Sequence, residues 1–82
     1  MPLRQTVFSI GHINVNRLNN FTHFSALEAE ASTTHYDAIA ISETFLNDST
    51  PDSHLQLEGF TLHRHDRTGK EGGGVALYIR KQ

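Results

Sequence analysis

The stretch Asp37-Ala38-Ile39-Ala40-Ile41-Ser42-Glu43-Thr44 decides how the chain is read. It opens on an acid, runs through alternating aliphatics and reaches a second acid, Glu43, one residue before its end. Read as a strand, it sends Asp37, Ile39, Ile41 and Glu43 to one face, because side chains alternate with period two. Isoleucine at both central positions suits a buried, pleated surface. Glu43 then stands at the carboxyl end of a buried strand, where open α/β sheets place their ligands. A carboxylate there is a candidate metal ligand or general base. The plainer reading is a solvated acid beside a turn, since most acids near strand ends are simply exposed.

Upstream, Thr6 to Asn16 reads as a first strand, with Phe8, Ile10, His12, Asn14 and Asn16 on one face and Val7, Ser9, Gly11, Ile13 and Val15 on the other. Apolar residues on both faces suit a strand covered on both sides. Asn14 and Asn16 interrupt that pattern at the strand's carboxyl end. They either open a turn, which asparagine does well, or offer amides to a phosphate or metal site. Between the two strands, Asn19-Asn20 can cap a helix and Ser25-Ala26-Leu27-Glu28 matches a capping box. Phe21, Phe24 and Leu27 fall near helical spacing and are expected to face the sheet. Thr33-Thr34 ends the run. Strand, helix and strand with short links imply a crossover and parallel pairing. That pairing brings Asn14, Asn16 and Glu43 to the same edge of the sheet.

Downstream, Asn47 to Ser53 reads as a loop from its Asn, Asp, Ser, Thr and Pro content. Phe60 to His65 alternates as a third strand, Asp66 to Glu71 is a polar turn, and Val75 to Ile79 is a fourth strand, closing an antiparallel hairpin. Gly72-Gly73-Gly74 leads into a strand rather than a helix, so it does not read as a phosphate-cradling loop; close backbone packing or a bulge is expected. His63-x-His65 puts two imidazoles on one strand face near Asp66, short of the ligands zinc requires. The six histidines lie in no context that suggests a nucleophile triad.

Composition narrows the possibilities. Eighty-two residues amount to one domain at most, and a chain this short buries only about 60–65% of its unfolded surface. With no cysteine there is neither a disulfide nor a thiolate metal site. A net charge of −2 lacks the basic footprint of a compact nucleic-acid binder, but suits an acidic metal site or a piece of a larger protein. No apolar run approaches a membrane span and no signal-peptide pattern opens the chain. An intracellular protein of cytoplasm or nucleus, without membrane contact, is therefore expected. The sequons at Asn20 and Asn47 are then accidental. The end at Gln82, directly after a strand, looks like truncation.

The ordered set Ile13-Asn14-Val15, Asp37 to Leu46, Gly59-Phe60, Arg64-x-Asp66-Arg67 and Gly72-Gly73-Gly74-Val75-Ala76 resembles the start of the endonuclease/exonuclease/phosphatase family. It is most similar to the endonuclease domains of non-LTR (LINE-type) retrotransposons, which lie near the amino end of a reverse-transcriptase polyprotein. The resemblance spans about Phe8 to Arg80. It implies an α/β fold of the α+β sandwich kind, with residues 1–82 as the N-terminal β-α-β plus β-hairpin portion of a two-sheet, four-layer sandwich. It implies phosphodiester hydrolysis with Mg2+ or Mn2+, and DNA as the partner of the complete protein. By the resemblance, Glu43 is the metal-ligand glutamate and Asn14 the asparagine that supports the phosphate and metal. Asn16 falls where apurinic endonucleases carry an aspartate, and here it is an amide. Thr44, Asp66 and Arg67 match structural or DNA-facing positions. The family's later Asp/Asn pair and its Asp-His pair have no counterpart in residues 1–82, nor does the second half of the sandwich. One face of the sheet is then expected to be exposed and open to self-association. The resulting expectation is the N-terminal fragment of a DNA endonuclease, inactive alone. The alternatives are a non-catalytic, partner-binding remnant and a phosphatase of the same fold.

Overall fold

The computed structural model describes residues 8–69 and 72–82. The elements run β1 (Ile10–Asn14), α1 (Phe21–Thr33), β2 (Ala38–Ser42), a 3-10 turn (Asp52–Leu55), β3 (Phe60–His65) and β4 (Val75–Arg80). The expected elements therefore all form; β1 and β2 are shorter than expected, β3 has the expected bounds and β4 runs one residue further, to Arg80. The proposed start of the first strand at Thr6 lies outside the described residues, as do Lys70 and Glu71 in the turn before β4.

The helix starts at Asn20. Its extended backbone and its side-chain oxygen, which accepts the His23 N–H at 3.0 Å, satisfy one of the free donors of the first turn. Ser25, the alternative cap, lies inside the helix. At the other end the Ser32 and Thr33 hydroxyls donate back to the Ala29 carbonyl at 3.0 and 2.9 Å, offering the backbone a rival to further helix. Thr34 then turns extended. Leu27 is buried and Phe24 packs beside it, as expected. Phe21 does not: it is 87% exposed. It is the first helical residue, and helical side chains lean toward the N-terminus, so it reaches past the helix start instead of down onto the sheet.

The four strands form one mixed sheet in the order β1-β2-β4-β3. β1 and β2 are parallel, with Asn14 opposite Ser42. β4 is antiparallel to both β2 and β3, so the β3–β4 hairpin folds back with β4 lying between β3 and β2. One face carries the core. Ile39, Ile41, Ala76, Tyr78 and Phe60 pack there under Leu27 of α1 and under Leu18, Leu46, Leu55 and Leu57 of the connecting segments. Tyr78 is fully buried and its hydroxyl donates to the Leu55 carbonyl at 2.7 Å; burial pushes its ionisation well above the ordinary tyrosine value.

The other face is largely uncovered. The register aligns Ile10, Ala38, Ile79 and Thr61 across it, then His12, Ala40, Leu77 and His63, then Asn14, Ser42, Val75 and His65. Ile10 is 65% and Val75 52% exposed, and Leu77 and Ile79 are also open to solvent. The apolar character of both faces of β1 thus has cover on one side only. No helix among the described residues is long and apolar enough to cross a membrane.

Candidate functional site

Parallel pairing sets the carboxyl ends of β1 and β2 side by side, and the backbone pairing continues past both strands. The Val15 N–H donates to the Ser42 carbonyl at 3.2 Å, Arg17 to Glu43 at 3.1 Å and Leu18 to Thr44 at 2.9 Å. From the opposite side, Thr44 donates to the Gly74 carbonyl at 3.3 Å and Phe45 to Gly73 at 2.9 Å. The segment Glu43–Phe45 is therefore laced between the loop after β1 and the triple glycine.

Three non-glycine residues here adopt the left-handed conformation: Arg17 (φ 67°), Glu43 (φ 58°) and Phe45 (φ 56°). Each costs roughly 1–2 kcal/mol relative to ordinary backbone. Such strain persists only where the surroundings over-determine it, and it concentrates at functional sites. The backbone hydrogen bonds above supply that constraint. Thr44, between two of them, is fully buried, with its hydroxyl 3.5 Å from the Gly73 carbonyl.

Asn14, Asn16 and Glu43 are all solvent-exposed at this end of the sheet. The shared end follows from the parallel pairing, as expected. Asn14 aligns with Ser42, so strict alternation would put Glu43 on the opposite face. The alternation no longer applies at Glu43, because β2 stops at Ser42 and residue 43 turns left-handed. Asn14 and Asn16 line an open groove of about 530 Å³ beside α1, with His23 and Glu30, and Glu43 does not line it.

The remaining expected residues divide. Thr44 is packed inside. Asp66 is held by Arg64, which donates through Nε at 3.1 Å and Nη2 at 2.7 Å. Arg64 also reaches the Thr50 and Asn47 carbonyls at 2.7 and 2.8 Å and Asp52 at 2.9 Å, pinning the loop before the 3-10 turn to β3. Asp66 is thus a structural partner, and its hydrogen bonds hold the Arg64 guanidinium more firmly protonated. Arg67 is exposed, its stem lying against Gly73. One pair had no signal in the sequence: the Arg17 guanidinium stacks over the Phe45 ring, 4.4 Å from its centroid. An exposed stack of this kind returns roughly 0.5–1 kcal/mol.

The donors at this end are one carboxylate and neutral amides. No group of three or more His, Cys, Asp or Glu side chains gathers among the described residues. His63 and His65 share the uncovered face without a third ligand. A carboxylate and amide oxygens are the donor types of a hard cation such as Mg2+, which keeps several waters and takes one or two carboxylates, rather than of zinc; Glu43 and the two asparagines do not line one groove. No family model matches the chain, and no curated protein matches it.

Proposed function

We propose that the chain is the N-terminal part of a divalent-metal-dependent phosphodiesterase, of the retrotransposon DNA endonuclease type, which nicks target DNA when complete. The observation that carries this reading is the left-handed Glu43 directly after β2, at the end of the sheet where Asn14 closes β1 opposite Ser42. Glu43 holds Mg2+ or Mn2+ through a carboxylate oxygen, and Asn14 donates an amide hydrogen bond to a phosphate oxygen. Asn16 offers a neutral oxygen and is the weaker ligand. When bound, the metal polarises a phosphoryl oxygen and stabilises the charge that develops there. Residues 1–82 contribute binding and orientation, and the activation of water falls to residues outside them. The test is a divalent-metal titration of wild type against Glu43→Gln, read at the two strand ends.

The uncovered sheet face favours a second reading, in which the chain associates with a copy of itself. Ile10, Val75, Leu77 and Ile79 form a contiguous apolar surface of the sort that marks an interface.

A further inference from the structure

We infer that His63 and His65 form half of a zinc site, which a second copy of the chain completes by offering the same pair across the uncovered sheet face. The inference goes beyond the readings above: it uses neither Glu43 nor any association in the absence of metal.

His63 and His65 lie two residues apart on β3, so both side chains leave the same face of the strand. Both are exposed, and both line an open groove of about 390 Å³ over the uncovered face, with Val75 and Leu77. Neither imidazole has a hydrogen-bond partner among the described residues. Each ring can therefore turn a nitrogen toward a common ion. Imidazole is a usual ligand of zinc, copper and nickel. The two backbones stand about 6.8 Å apart along the strand, a span across which two imidazoles converge on one metal.

A single chain goes no further. The third histidine of this face, His12, shares a row with His63, but β2 and β4 lie between them. That separation is three strand spacings, or about 14 Å. The paired rows of this face hold no carboxylate. Zinc in a closed site takes four ligands, so the other two must come from outside the chain.

The register of the face shows how a second copy supplies them. A two-fold axis between two stacked sheets, running across the strands at the level of Arg64, lays β3 over β3 and β4 over β4. His63 of each copy then faces His65 of the other. Leu77, opposite His63, faces Val75, opposite His65. One patch is thus used twice, as an isologous interface requires. Stacked sheets lie about 10 Å apart, so an ion midway is about 5 Å from each, within the reach of an imidazole. The same contact covers Val75 and Leu77, which a single chain leaves exposed.

The experiment is a zinc titration of the full chain, read by sedimentation velocity and by the histidine ring-proton shifts. It compares wild type, His63→Ala, His65→Ala and, as a control on the same face, His12→Ala, with thermal melts of all four in EDTA to check folding. Wild type is expected to take up one zinc per two chains and to double its sedimenting mass relative to EDTA. His63→Ala and His65→Ala are each expected to lose that increase, and His12→Ala to keep it. Uptake of one zinc per chain without a change in mass, an increase that survives either substitution, or its loss in His12→Ala would overturn the inference. A chain that pairs equally in EDTA and in zinc overturns it too, and leaves the apolar association standing. A monomer in EDTA that zinc pairs through His63 and His65 upholds the inference and removes association through apolar contact alone.

Discussion

Gly74 and Thr44 meet so closely that a Cβ at position 74 would stand 2.6 Å from the Thr44 hydroxyl oxygen. Gly74 is also left-handed, at φ 84°. Close packing was the use expected of the triple glycine, and here it holds the segment that carries Glu43. Gly74→Ala adds both backbone strain and overpacking against a buried side chain. It is expected to destabilise by about 2–4 kcal/mol in urea unfolding. A loss below about 0.5 kcal/mol, on the order of a surface substitution, would mean that Thr44 yields easily and that the triple glycine does not fix this segment.

Asp37 gives a pH dependence. Its Oδ2 accepts the Ser9 N–H at 2.7 Å, and its Oδ1 lies 3.3 Å from His35 Nε2. The Ser9 bond chiefly, with His35 helping, holds this carboxyl below the usual carboxylate range. Because the folded value lies below the unfolded one, the stability it contributes is present above the unfolded value, about 3.9. It is lost as pH falls through the folded value. Asp37→Asn mimics the protonated acid. It is expected to be less stable than wild type at neutral pH and to converge with it in strong acid. A stability difference independent of pH would contradict this.

The uncovered sheet face makes association concentration-dependent. Sedimentation velocity of wild type is expected to show self-association that Leu77→Lys and Ile79→Lys each reduce, since a charge buried between two sheets lacks a partner. A wild type that stays monomeric at every accessible concentration would exclude this second reading.

Residues 1–82 are expected not to nick supercoiled plasmid with Mg2+ or Mn2+. Removing a group of catalytic residues that act together abolishes most of the rate acceleration. Robust nicking that Glu43→Ala abolishes would show that the site is complete within the chain.

Much of this fold was legible from local signals. Ile39 and Ile41 mark a buried strand, Asn20 a helix start and Thr33-Thr34 its end. The short links around α1 imply the parallel pairing that sets Asn14 level with Ser42. The place of β4 between β2 and β3 was not legible, because strand order arises from distant pairings such as Ala40 with Leu77. Phe21 misled because helical spacing does not reveal that a first-turn side chain stays in solvent. The site was legible in its end of the sheet but not in its detail. Arginine, glutamate and phenylalanine give no sign of left-handed backbone, so neither the turn at Glu43 nor the Arg17–Phe45 stack could be read. The alternation that placed Glu43 on a face failed for the same reason.

The most direct test of the central claim is a Mg2+ and Mn2+ titration of wild type, Glu43→Gln and Asn16→Asp, following backbone chemical shifts. One carboxylate and neutral amides should bind in the millimolar range, worth about 4 kcal/mol or less. Shifts are expected at the ends of β1 and β2, around Asn14 to Leu18 and Ser42 to Leu46. Glu43→Gln is expected to abolish them, and Asn16→Asp to tighten binding if residue 16 faces the metal. Metal affinity indifferent to Glu43→Gln would remove Glu43 as the ligand and contradict the nuclease reading.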